Sequence, residues 1–440
     1  MNIIIKVSII ELGGHKMERK INKFLIKWKK DPEKKPLLIY GYKQVGKTYT
    51  AIEFGEKEYK NIAYFNTNNN IELYKLLKKE KNPDKILSGL SLLSGESILT
   101  NDTLIIFDNV NDLDIINGIK ILSKVAKDYH IILITSLKEN LNVFKCEEFQ
   151  YKMMSNMDFE EFLIAKDNKE LIDFIKSAYK NCESMPFHSV AMDLYNEYMM
   201  TGGMPETVLL HVNNKSNLYN NCIFNKIIDT YKKEISSLDN LIDITRSIDV
   251  FDSIPFQLQK PNKKFQYGLI KSGGRSKDYN KALTFLSKNG FCYQSYKISE
   301  AKLPLSSCKD QESFKLYLND TGLLFYLMFL NKNKFLMDNN ARNIIYENSI
   351  AISLVNLGFS LYYYQSEGKA EVSFIVQTRH GKIVPIELVN KNVSKSKSLT
   401  LFMNKFNINE AIRVTEENFS IKKGIKYIPI YALFCLNETL

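Results

Sequence analysis

The chain has 440 residues, more than one ordinary core holds, so two or three domains of about 100–200 residues each are expected. Hydrophobic residues make up 45% and charged residues 25%, which excludes wholesale disorder. The formal charge of +11 has two readings, an anionic partner or codon drift, because only six of the 60 basic residues are arginine while Asn and Ile are plentiful.

The first apolar run, residues 3–10, is interrupted by Lys6 and is far shorter than the roughly 20 residues of a membrane span. It also lacks a small-residue cleavage site, so it is not read as a signal peptide; because Met17 starts a more plausible amphipathic helix, residues 1–16 are read as an N-terminal extension or an over-long start, and no function is assigned to them. The six cysteines form no CxxC pair and have no histidine at metal spacing, so structural zinc is not expected and a reducing, cytoplasmic setting is. No membrane partner is expected.

From Met17 onward the periodicity becomes informative. Ile21, Phe24, Leu25 and Trp28 predict a helix that Asp31 and Pro32 end. PLLIY at 36–40 is a short continuous apolar run, as of a buried parallel strand, and a helix over Tyr49–Lys60 follows the glycine loop after it. NIAYF (61–65), TLIIFD (103–108), HIILIT (130–135) and FQYKMM (149–154) are further strands with helical stretches between most of them. This alternation predicts an α/β domain over 17–165, a parallel sheet with helices on both faces.

A helical region is expected over 166–224, broken by a sharp turn at TGGMPE (201–206). Residues 225–320 read as short helices, the last carrying Tyr279, Leu283 and Leu286, followed by two strand-like runs. Three small helices and a hairpin would make a winged helix. Lys271, Arg275 and Lys277 cluster at the start of its last helix, a place to meet DNA phosphates or simply a solvated loop. Residues 321–440 form a third region, with a helix containing Glu347, strands LYYYQ, AEVSFIV and KIVPIEL, and a helix from near Lys397.

Chemistry concentrates at GYKQVGKT, residues 41–48, lying between a predicted strand and a predicted helix. Gly41 and Gly46 let the backbone turn around phosphates, with Tyr42, Lys43, Gln44 and Val45 supplying successive N–H groups and Tyr49 continuing into the helix. Lys47 would reach the β- and γ-phosphates of ATP, and Thr48 would bind Mg²⁺. Asp108, ending LIIFD, supplies the second acid for the magnesium.

The following residue, Asn109, can orient a water but cannot take its proton, where a P-loop ATPase of the additional-strand type usually has glutamate. Asp112 and Asp114 stand nearby as displaced bases or as ordinary loop acids. Thr135 and Ser136 would sense the γ-phosphate if their strand lies beside the P-loop strand. No arginine occurs between Arg19 and Arg246 to act as a finger on the transferred phosphoryl group.

Together GYKQVGKT, YFNTN, LIIFDNV, MDFEEFL, TGGMPE, FKLYLNDTGLL, ENSIA, GKAEVSF, KIVPIEL and SKSL make the chain from about Met17 resemble a family of bacterial and archaeal AAA-type ATPases. In that AAA_14/DUF4143 family an ATPase core is joined to a C-terminal DUF4143 region. The resemblance implies an AAA-type P-loop NTPase core, a helical and winged-helix region, and a C-terminal α/β domain like a PD-(D/E)xK restriction endonuclease. It also marks departures. An acid is common where Asn109 stands, and an arginine is common where only lysines precede DFEEFL. Glu347 and Glu387 match the nuclease pattern, but Ser373 replaces its Asp and Val389 its Lys, with Lys391 as a displaced lysine. The implied function is a slow or conditional ATPase serving as a switch, with DNA as a candidate partner through the winged helix, or else a non-hydrolysing scaffold for an unknown protein. The degenerate nuclease-like domain is expected not to cut nucleic acid.

Overall fold

The computed structural model describes residues 17–68, 70–136, 147–213, 217–366, 370–389 and 397–438. The chain divides into two units, one spanning Glu18–Asn156 and the other running from Met157 onward.

The first unit opens with α1 (Lys20–Lys30), which buries Ile21, Leu25 and Trp28 and stops where Asp31 turns to extended backbone ahead of Pro32. There follow β1 (Leu37–Tyr40), α2 (Lys47–Glu58), β2 (Asn61–Asn66), α3 (Ile71–Lys79), α4 (Pro83–Ser94), β3 (Thr103–Asp108), α5 (Leu113–Leu122), β4 (His130–Thr135) and β5 (Gln150–Met153). The five strands are parallel, in the order β2-β3-β4-β1-β5.

Every residue of β3 and β4 is buried, which explains why both read as unbroken apolar runs: helices cover the sheet on both sides. On one side Phe65, Ile105, Phe107 and Leu133 pack with Leu73, Leu77, Ile115 and Ile119 from α3 and α5. Each such fully buried side chain contributes about 1.5–3 kcal/mol of transfer energy. On the other side α2 approaches so closely that a Cβ on Gly55 would lie 2.7 Å from Ile62. Side chains of Asn70, Asn82 and Asp112 accept the first free N–H groups of α3, α4 and α5, which sets where those helices begin.

The second unit starts with α6 (Phe159–Ala165), α7 (Lys169–Asn181), α8 (His188–Thr201), α9 (Pro205–Val212), α10 (Asn217–Ile235), α11 (Leu241–Leu258) and α12 (Ser276–Lys288). It continues through β6 (Cys292–Ile298), β7 (Lys309–Leu318), α13 (Thr321–Leu327), α14 (Lys332–Met337) and α15 (Asn339–Asn356). It ends with β8 (Leu361–Gln365), β9 (Glu371–Gln377), β10 (Ile383–Val389), α16 (Lys397–Phe406), β11 (Ala411–Thr415), β12 (Ser420–Lys422), β13 (Ile425–Pro429) and a 3-10 helix over Ile430–Glu438. The eight strands form one mixed sheet in the order β12-β13-β11-β10-β9-β8-β6-β7.

The first unit ends at Asn156, inside the 17–165 expected for the ATPase domain, and α6 packs with helices of the second unit, Phe159 against Tyr195 and Phe162 against Tyr198. The helix after the glycine loop starts at Lys47 rather than Tyr49. The hairpin expected to be a free wing, β6 and β7, is the end of the eight-stranded sheet because β6 also pairs in parallel with β8. The sheet therefore crosses the expected boundary at 320 and 321, and α10 and α11 are long helices of 19 and 18 residues. The expected extension, residues 1–16, lies outside the described residues, as does Lys391.

Two motifs that carried the resemblance interlock here. The Gly203 N–H donates to Asp320 Oδ2 at 2.8 Å, and a Cβ on Gly322 would lie 2.5 Å from the Thr201 carbonyl oxygen. Burial pushes the Asp320 carboxyl up to about 6, and backbone N–H groups of Leu323, Gly203, Gly322 and Met204 offset only part of that rise.

Candidate nucleotide site

Strand β1 delivers the chain to Gly41, whose φ is 155° and where a Cβ would sit 1.9 Å from the Met154 carbonyl oxygen. No other residue fits that approach. Gly46 is left-handed, with φ 90° and ψ 19°, and caps α2, so the loop of 41–46 closes on the N-terminus of a 12-residue helix. Tyr42 and Val45 are buried and support the loop, while Lys43 and Tyr49 are exposed. The buried Lys47 ammonium donates to the carbonyls of Gly41 at 2.9 Å and Tyr42 at 2.5 Å.

Because β4 lies between β1 and β3, Asp108 stands two strands from the loop strand, and its carboxylate still meets the start of α2. Thr48 Oγ1 donates to Asp108 Oδ2 at 2.8 Å, the Tyr64 hydroxyl donates to the same oxygen at 2.8 Å, and the Asn109 N–H donates to Oδ1 at 2.8 Å. Burial, then the Asp108 charge, raises the Tyr64 phenol well above its ordinary range, so it stays a donor. A hydroxyl and a carboxylate held together beside a helix N-terminus suit a magnesium ion, which takes oxygen ligands and retains water.

Asn109 has a left-handed backbone, φ 60°, and its amide Nδ2 lies 3.5 Å from Asn66 Oδ1. Asp112 caps α5, and Asp114 is bonded by Lys78 and by the Tyr74 hydroxyl, so neither acid is aimed at the loop as a base. Tyr40 of β1 and Thr135 of β4 are register partners, and Thr135 Oγ1 donates to Asn111 at 3.1 Å.

Two residues escaped the sequence reading. Tyr64 sits two positions before the end of β2, and only the register of Asn66 with Asp108 brings it to the acid. Arg19 donates from its guanidinium to the carbonyls of Val45 at 2.8 Å and Ser155 at 2.7 Å. Its one signal was being an arginine in a lysine-rich chain.

The nuclease-pattern acids do not converge. Glu347 is buried, bonded by Lys263, by Lys315 at 3.4 Å and by the Tyr317 hydroxyl at 2.6 Å. Burial would raise its carboxyl, but the two lysines overcome that and hold it at about 2. Glu387 instead accepts from Arg413 Nε at 3.0 Å. Phe374 packs on Tyr317 and pairs with Ile386, so strand alternation turns the adjacent Glu387 to the opposite face of the sheet from Glu347. Among the described residues, no group of three or more His, Cys, Asp or Glu side chains is placed to hold a metal ion.

The loop on β1, the following helix and the acid on β3 define an AAA-type P-loop fold. In agreement, a protein-family model described as an AAA domain matches residues 33–163. The first unit therefore has the fold of an AAA-type P-loop domain. A second model, described as a domain of unknown function (DUF8612), matches residues 192–334, most of which fall in the expected helical and winged-helix regions rather than in 321–440, where the resemblance had implied DUF4143. Comparison with curated proteins gives no match. Among solved structures, the Drosophila ORC complex bound to AT-rich DNA and Cdc6 aligns at 11% identity over 70% of this chain and 88% of that one, with a TM-score of 0.22. The ORC complex bound to GC-rich DNA and Cdc6 gives the same identity, TM-score and coverage of this chain, and 90% of that one. Among the described residues no helix is long and apolar enough to cross a membrane.

Proposed function

We propose that the first unit binds ATP with Mg²⁺, hydrolyses it slowly, and uses the exchange between states as a conformational switch. The observation that carries this reading is Asn109, an amide directly after Asp108 where fast turnover needs a proton acceptor. Lys47 leaves the carbonyls of Gly41 and Tyr42 to pair with the β- and γ-phosphates, and the N–H groups around Gly46 and the start of α2 face the remaining charge. Thr48 and Asp108 are the residues that would hold the magnesium, which would neutralise charge on the phosphate oxygens. Asn109 and Thr135 orient the attacking water without deprotonating it.

The exposed Lys271, Arg275 and Lys277 at the start of α12 support DNA phosphates as a partner of the second unit. A scaffold that binds ATP without hydrolysing it is the second reading, which the same amide also fits. Phosphate release by wild type and Lys47→Ala, run beside calorimetry, tests both. The switch predicts binding with turnover above the Lys47→Ala control but well below the ~10 s⁻¹ of a median enzyme. Binding with no release above that control selects the scaffold, and no binding removes both.

A further inference from the structure

Arg19 precedes α1, far in sequence from the glycine loop, yet the residue is only 6% exposed and its guanidinium donates to two backbone carbonyls. One belongs to Val45, inside the loop. A trans peptide points its C=O and N–H in opposite directions, so a guanidinium fixing the Val45 oxygen on one side fixes the Gly46 N–H on the other. The bond is charge-assisted and polarises that peptide, strengthening the N–H as a donor.

The second carbonyl belongs to Ser155, one residue before the first unit ends at Asn156. This segment already touches the loop elsewhere. Met154 donates its N–H to the Tyr40 carbonyl at 2.8 Å, and its own carbonyl oxygen occupies the space a Cβ on Gly41 would need. Any shift of the loop peptide is therefore transmitted to 154–155 by two routes, a backbone contact at Gly41 and a guanidinium bridge from Val45.

We propose that Arg19 is a positioning residue that orients the Val45–Gly46 peptide toward phosphate and makes the backbone at Ser155, where the chain leaves the first unit, respond to nucleotide. The inference rests on ATP binding at this loop. Lysine cannot replace it fully, because a single ammonium lacks the planar fork that spans two carbonyls.

Hydrogen exchange over 150–160 in the full chain, with and without saturating MgATP, tests this beside calorimetry on the same samples. In wild type, ATP should change exchange both in the loop and at 154–157. Arg19→Lys should bind ATP within about threefold of wild type and lose most of the change at 154–157, whereas Arg19→Met should bind about tenfold weaker, near 1.4 kcal/mol, and lose it entirely. Wild type that binds ATP with no change at 154–157 overturns the proposal, a result that stands even if Arg19→Met does not fold. A folded Arg19→Met with unaltered affinity and an unaltered exchange response also overturns it. Calorimetry showing no ATP binding by wild type overturns the nucleotide reading itself, so the two failures are told apart.

Discussion

Thr48 and Asp108, sixty residues apart, are joined by a 2.8 Å hydrogen bond from the threonine hydroxyl to the carboxylate. That contact puts the two magnesium candidates side by side. Asp108→Asn keeps the shape and removes the charge, so ATP affinity measured in EDTA should be unchanged. Added Mg²⁺ should no longer tighten binding, a loss of about tenfold or about 1.4 kcal/mol by calorimetry. Tightening that survives in Asp108→Asn would place the ion elsewhere.

Asn109→Glu should raise the rate of phosphate release. General bases contribute about 10²–10⁴ in rate, but a left-handed backbone suits glutamate less well than asparagine, so about tenfold is the expected gain. Asp114→Asn should leave turnover unchanged, because that acid is engaged by Lys78 and Tyr74. Loss of phosphate release in Asp114→Asn would instead identify it as the base.

Combined alanine changes at Lys271, Arg275 and Lys277 should weaken DNA binding without altering sequence preference, since phosphate contacts carry no base information. The slope of log affinity against log salt should become shallower by about 0.9 for each phosphate that the variant no longer neutralises. Gel shifts indifferent to both salt and the triple change would remove DNA as a partner.

His130 couples stability to pH. Its Nδ1 lies 2.7 Å from the Tyr59 hydroxyl and its ring meets the edge of Trp28. Burial first, and the nearby charges of Lys34 and Lys29 second, lower its pKa to about 4. Between that value and the ordinary one near 6.5 the unfolded chain binds more protons, so stability is full above about pH 6.5 and is lost as pH falls toward 4. His130→Phe lacks this dependence, so its Tm relative to wild type should rise by a few degrees between pH 7.5 and pH 5. A constant difference across that range would show that burial does not lower the pKa of the ring in the fold.

Gly322→Ala should destabilise the second unit by about 3 kcal/mol or more, because the added methyl meets the backbone at Thr201 and Gly202 rather than a movable side chain. Gly268→Ala is the control, as a Cβ there has nothing within 4 Å. Urea unfolding of both variants checks the pair, and equal midpoints would contradict the packing.

Much of the first unit was legible in the residues themselves. LLIY, TLIIFD and HIILIT are unbroken apolar runs because they are covered on both faces, and GYKQVGKT needs its glycines for local reasons, a close approach at Gly41 and a left-handed turn at Gly46. Such constraints act within a few residues, so periodicity and turn chemistry express them directly. TGGMPE and NDTGLL were recognisable as motifs, but their meaning, Gly203 on Asp320 and Gly322 against Thr201, depends on two segments meeting across more than a hundred residues.

Long-range pairing decided the rest. Nothing local in β6 and β7 says that they extend the sheet of β8–β13 rather than stand as a wing, because a hairpin has the same alternation in both settings. Glu347 and Glu387 looked like one site and lie on opposite faces, since a strand reverses its side chains at every residue and only the register with Phe374 tells which way Glu387 points. Asp108 was legible as an acid at a strand end, whereas its bond from Tyr64 needed the register of β2 on β3. The sequence by itself determined the nucleotide loop and the class of the first sheet through local backbone chemistry. Only the tertiary structure decided the partners of Arg19, Tyr64 and Glu387, because hydrogen bonds between distant segments leave no periodic trace in either one.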